Sequence, residues 1–72
     1  RRTTAQKLIS YLYSYSKICG KTEFDIPLRR RQLADYLGVE RSAMCNELSK
    51  LQKEGLISYK GSHFKITKPD TE

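Results

Sequence analysis

A chain of 72 residues holds one small domain, and 38% hydrophobic residues, with five tyrosines and two phenylalanines among them, supply enough apolar surface for a single core and argue against disorder. Fourteen Lys and Arg against eight Asp and Glu leave a formal net charge of +6, the balance of a domain that faces phosphates, although a merely solvated basic surface is the plainer alternative. No apolar run approaches the roughly 20 residues of a membrane span, and one histidine with two cysteines and no Cys-X-X-Cys pair excludes the common zinc spacings.

The first element is predicted from Thr3 to Lys17, where Ala5, Leu8, Ile9, Leu12 and either Tyr15 or Ser16 recur at helical spacing. Thr3 or Thr4 can cap its start and Gly20 can stop it in a left-handed conformation. Tyr11, Tyr13 and Tyr15 cannot all face inward, so at least one belongs at the rim with its hydroxyl wet. From Lys21 to Leu28 the period changes: Phe24, Ile26 and Leu28 alternate with Asp25 and Pro27, which reads as a short strand. Pro27 has no amide to donate and confines it to an edge.

Helical spacing returns from Arg30 to Leu37, with Leu33, Ala34 and Leu37 inward and Gly38 closing the segment. Val39 and Glu40 make a tight connection to a helix from Arg41 to Glu54, with Met44, Leu48 and Leu51 inward and Gly55 at its end. Leu56–Tyr59 and His63–Ile66 are short alternating runs joined by Lys60-Gly61-Ser62, a hairpin with a glycine turn. Lys68–Glu72 reads as a polar tail in which Pro69 marks the stop.

Each helix carries one apolar stripe, so the three must share a single core, and the strand at Phe24 can pair with the hairpin to cover its open side. The expected fold is mainly α with a small β element, a winged helix-turn-helix with a three-helix core, a short strand and a C-terminal β-hairpin wing. The stretch from Gln32 to Met44 is decisive. Ala34 is small where two backbones approach, Gly38 supplies a positive φ at the turn, and Met44 points back under the first helix. An ordinary helical hairpin is the alternative, and the glycine-tipped wing argues against it.

The helix from Arg41 shows an outward stripe of small or polar residues, Ser42, Cys45, Asn46 and Ser49, with Arg41 beside it in the first turn. Small side chains let a helix sink into a groove about 12 Å wide, where arginine can read guanine and asparagine can read adenine. Arg41, Ser42, Cys45 and Asn46 are therefore expected to read bases, and Ser49 to meet a phosphate. Cys45 could also serve as a redox switch, though permitting close approach is the simpler role.

Arg31-Gln32-Leu33-Ala34-Asp35-Tyr36-Leu37-Gly38 and the run from Glu47 through Leu51 and Gly55 to Ile57 resemble the C-terminal winged helix-turn-helix domain of the Crp/Fnr family of bacterial transcription regulators, which includes the cyclic AMP receptor protein. The likeness extends from Ile26 to Ile66. It implies sequence-specific binding of double-stranded DNA, with the recognition helix entering the major groove from about Arg41; one histidine, no nucleophile–base pairing and no phosphate-binding glycine loop separately lead to the expectation of no catalysis. It further implies that the helix start at Arg30 and Arg31 and the wing tip at Lys60 lie on phosphates. Family members often carry Arg-Glu-Thr-Val-Gly-Arg where this chain has Arg41-Ser42-Ala43-Met44-Cys45-Asn46, so a different or more permissive base preference is expected. They also often have Ser or Thr at the position of Arg29, a cap whose loss costs about 1 kcal/mol.

Because Arg1 is not an initiator methionine, the chain is expected to be a fragment of a longer cytoplasmic regulator whose upstream domain binds an effector and pairs two copies. RNA polymerase is a further partner that the resemblance suggests, and no cofactor, metal or membrane is expected for this domain. The rival reading is a winged-helix protein-interaction module without specific DNA readout, which would need large apolar residues on its docking face.

Overall fold

The computed structural model describes residues 3–67, so the polar tail with Pro69 lies outside the described residues. The elements in chain order are α1 (Thr4–Cys19), β1 (Glu23–Asp25), α2 (Arg30–Leu37), α3 (Arg41–Lys53), β2 (Ile57–Lys60) and β3 (His63–Ile66). They form the expected winged helix-turn-helix, with one antiparallel sheet in the order β1-β3-β2.

Thr3 caps α1 through a reciprocal pair: the Gln6 amide donates to the Thr3 hydroxyl at 3.1 Å, and the Thr3 amide donates to Gln6 Oε1 at 2.9 Å. The helix runs two residues beyond the expected Lys17, because the stop is set by Gly20, whose φ of 70° ends it. Leu8 and Leu12 are buried on its inner stripe. Tyr11, Tyr13 and Tyr15 are each half-buried against the core, sharing the rim.

The strand at Phe24 is shorter than its alternation suggested. Only Glu23–Asp25 pairs with β3, with Phe24 opposite Phe64. Ile26 keeps the buried side of the pattern, and its amide donates to the Ser62 carbonyl at 2.9 Å. Pro27, which has no amide, follows at once, and the ladder does not continue past it. The hairpin is tighter than expected by one residue. Lys60 belongs to β2 and pairs with His63, leaving Gly61 and Ser62 as a two-residue turn. Gly61 takes a φ of 59° while Ser62 stays at negative φ, as a II′ turn requires.

The core gathers one face from every element: Leu8 and Leu12 of α1, Phe24 and Ile26, Leu33 and Ala34 of α2, Met44, Leu48 and Leu51 of α3, and Ile57, Phe64 and Ile66 of the wing. No polar side chain is buried among the described residues, so the interior is held by apolar contact alone.

Candidate nucleic-acid interface

The joint between α2 and α3 sets the angle of the outward helix. Ala34 is 2% exposed and Met44 fully buried, so the two helices meet over a small residue and a long flexible one. At the turn the Val39 amide donates to the Ala34 carbonyl at 3.0 Å and the Gly38 amide to the Asp35 carbonyl at 3.2 Å. This pair of bonds is the Schellman arrangement, which needs a left-handed residue, and Gly38 has a φ of 72°. Gly55 and Leu56 end α3 with the same pair, onto Gln52 and Leu51.

With Met44, Leu48 and Leu51 facing inward, Ser42, Asn46 and Ser49 emerge exposed on the opposite face, and Arg41 is exposed in the first turn. Cys45 differs from its expected place: it is half-buried and packs against the core at the flank of this face. It is not in a disulfide, and neither is the exposed Cys19. The exposed Lys53 follows Asn46 by seven residues and Ser49 by four, so it extends the same face by one turn. Lys50, four residues after Asn46, borders this face, and its ammonium lies 3.6 Å from the half-buried Glu47 carboxylate. Glu40 precedes α3 without a side-chain capping bond, so the side chain leaves the first-turn amides of α3 unbonded.

At the start of α2, Arg29 occupies the capping position but a guanidinium cannot accept a hydrogen bond. Half of the usual capping pair survives, because Gln32 Oε1 accepts from the Arg29 amide at 2.9 Å. Arg29 and Arg31 are exposed. Arg30 is not: half-buried, it donates from Nη2 to the Gly61 carbonyl at 2.6 Å, with its guanidinium carbon 5.4 Å from the centre of Tyr59 and 5.2 Å from that of Phe64. Each such stacking contact contributes about 0.5–1 kcal/mol at a partly exposed site. The contact brings the start of α2 to the wing turn. Nothing local in the sequence announces the Arg30–Gly61 pair, since its partners are 31 residues apart.

The opposite edge of the sheet is acidic. His63 sits between Asp25 and Glu23, Nδ1 at 2.9 Å from Asp25 Oδ1 and Nε2 at 2.6 Å from Glu23 Oε2. Only an imidazolium can donate from both nitrogens. The hydrogen bond to Glu23, then that to Asp25, raises the His63 pKa above its ordinary value, and the same bond from His63 lowers that of Glu23. No group of three His, Cys, Asp or Glu among the described residues is placed to hold a metal ion. No described helix is long and apolar enough to cross a membrane.

Over residues 6–71 the chain matches the family described as Crp-like helix-turn-helix domain. Among curated proteins it is 36% identical over 47 residues to the transcriptional activator protein FnrL of Cereibacter sphaeroides, covering 65% of this chain and 19% of that protein. It is 32% identical over 62 residues to a probable transcriptional activator of Rhizobium leguminosarum bv. viciae, covering 79% of this chain and 26% of the relative. The chain thus spans about a fifth to a quarter of the length of these relatives.

Proposed function

The chain belongs to the Crp-like helix-turn-helix domain family, and on that premise we propose that it is the sequence-specific DNA-binding output domain of a transcription regulator, with α3 lying in the major groove. In this reading Arg41, Ser42, Cys45 and Asn46 read base edges, Cys45 from the flank of the helix. Arg31, Ser49 and Lys60 meet backbone phosphates, with Arg30 beside them. Residues of a longer protein would pair two copies, so that two α3 helices reach successive major grooves about 34 Å apart. RNA polymerase would be a partner of that assembly.

One observation carries the proposal. The face of α3 opposite its buried stripe is exposed, small and uncharged through Ser42, Asn46 and Ser49, with cations at both ends, Arg41 and Lys53. A helix that docks on protein would present large apolar residues there. The exposed large apolar residues of this chain, Ile18 at 81% and Tyr36 at 70%, lie on α1 and α2 instead.

Duplex affinity should fall steeply with salt, the logarithm of the binding constant declining by about 0.9 for each neutralised phosphate per logarithm of salt concentration. In a binding-site selection, Arg41→Ala should relax base preference. Lys60→Ala should weaken all sequences alike. Equal affinity for duplex and heparin, or a salt-independent affinity, would refute the reading.

A further inference from the structure

We infer that Arg30 is a positioning residue for DNA binding: its guanidinium, held between the Gly61 carbonyl and the Tyr59 and Phe64 rings, ties the start of α2 to the wing turn and so sets where Lys60 meets the phosphate backbone. The inference rests on the duplex-binding reading and deepens it. It gives Arg30 a task different from that of its exposed neighbours Arg29 and Arg31.

The geometry uses two properties that only a guanidinium combines. Its central carbon lies over the rings, with centroids at 5.4 and 5.2 Å, while Nη2 donates to the Gly61 carbonyl at 2.6 Å. The two rings are themselves stacked 5.4 Å apart, at 18°, and the guanidinium lies over both. The accepting carbonyl belongs to a turn residue outside the strand ladder, whose last pair is Lys60 with His63. Lys60 is the residue immediately before Gly61, so a shift of Gly61 carries it along.

The wing has other fastenings to neighbouring elements. The Tyr59 amide donates to Gln52 Oε1 at 2.8 Å and joins β2 to the end of α3. The Ile26 amide, donating to the Ser62 carbonyl at 2.9 Å, joins the turn to the segment after β1. Arg30 reaches the turn from α2, and α2 packs with α1 against α3. The guanidinium therefore adds a tie between α2 and the wing turn to the direct tie between α3 and β2. With one of its five N–H groups bonded to Gly61 and its face covered, Arg30 acts on DNA through the wing.

Lysine separates this role from a phosphate contact, because it keeps the charge and loses both the plane and the fork. Fluorescence anisotropy with a duplex oligonucleotide, repeated across salt concentrations, would compare Arg30→Lys, Arg30→Met and Lys60→Ala, singly and combined. Arg30→Lys should lose about tenfold in affinity, as Arg30→Met does, and Lys60→Ala should cost little more in the Arg30→Lys background, the non-additivity expected of coupled neighbours. In the DNA-free chain, the amide resonances of Lys60 and Gly61 should move in Arg30→Lys while those of α1 stay in place. Tyr59→Leu, which removes one of the two stacked rings, should show the same non-additivity with Lys60→Ala and keeps the test valid should an Arg30 variant unfold. Wild-type affinity in Arg30→Lys, or a full and equal Lys60→Ala loss in both backgrounds, would overturn the inference. If the wild-type chain shows no salt-dependent duplex binding, the DNA reading fails instead, and the DNA-free resonances still report on the positioning contact.

Discussion

Between α2 and α3 the joint is made of buried apolar atoms and one glycine: Ala34 and Met44 are sealed from water, and Gly38 turns the chain in a conformation that L side chains resist. Around the wing the joints are polar and lie at the surface: Arg30 on Gly61, Gln52 on the Tyr59 amide, and His63 between Glu23 and Asp25. The first kind of joint fixes one angle and yields only by unfolding. The second tolerates water and responds to charge. A reading helix needs a fixed direction, whereas a phosphate-seeking wing tip can be held by contacts that adjust, so the two joints suit the two tasks.

The largest effect should come from breaking the apolar joint. Met44→Ala leaves a cavity under α2 and should cost about 2–5 kcal/mol, read from urea unfolding. A loss under about 1 kcal/mol would mean that the joint is not the packed element described. Gly38→Ala sharpens the same point at smaller scale. A Cβ there would meet nothing within 4 Å, so the cost is backbone strain alone, about 1–2 kcal/mol. Gly38→Asn should recover much of it, since asparagine accepts the left-handed region more readily. Equal losses for alanine and asparagine would contradict the strain account.

The smallest effect belongs to the polar joint of His63. Its folded pKa is raised above its ordinary 6.5, so the stability it contributes is fully present below that value and is lost as pH rises through the raised one. Glu23 has a lowered pKa, so its contribution is present above its ordinary 4.5 and is lost as pH falls through the lowered value. The brace between β1 and β3 should therefore be strongest between the two, falling away on the acid and the alkaline side. His63→Gln should flatten the alkaline limb of a thermal-melting profile. An unchanged limb in that variant would show that the imidazolium carries none of it.

What was legible in the sequence follows the same division. Leu8, Leu33, Met44, Leu48 and Phe64 announce themselves because burial imposes a period, and Gly38 and Gly55 because a positive φ selects glycine. The stripe of Ser42, Asn46 and Ser49 follows from knowing which face of α3 is inward. Cys45 shows the limit of that reasoning: a spacing rule placed it on the outward stripe, yet it lies on the flank. Arg30 and His63 were not legible, because their partners lie far along the chain and come together only after the core has formed. The length of β1 was obscured because Ile26 and Leu28 continue the alternation past the proline that ends the pairing.

The face of the molecule that meets duplex is read directly by amide chemical-shift mapping on titration with a duplex oligonucleotide at low salt. The largest perturbations should fall on Arg41, Ser42, Asn46 and Ser49, with a second cluster at Arg31, Lys60 and Gly61, while Ile18 remains unchanged. Perturbations centred on Ile18 and Tyr36, with α3 silent, would contradict the placement of α3 in the groove.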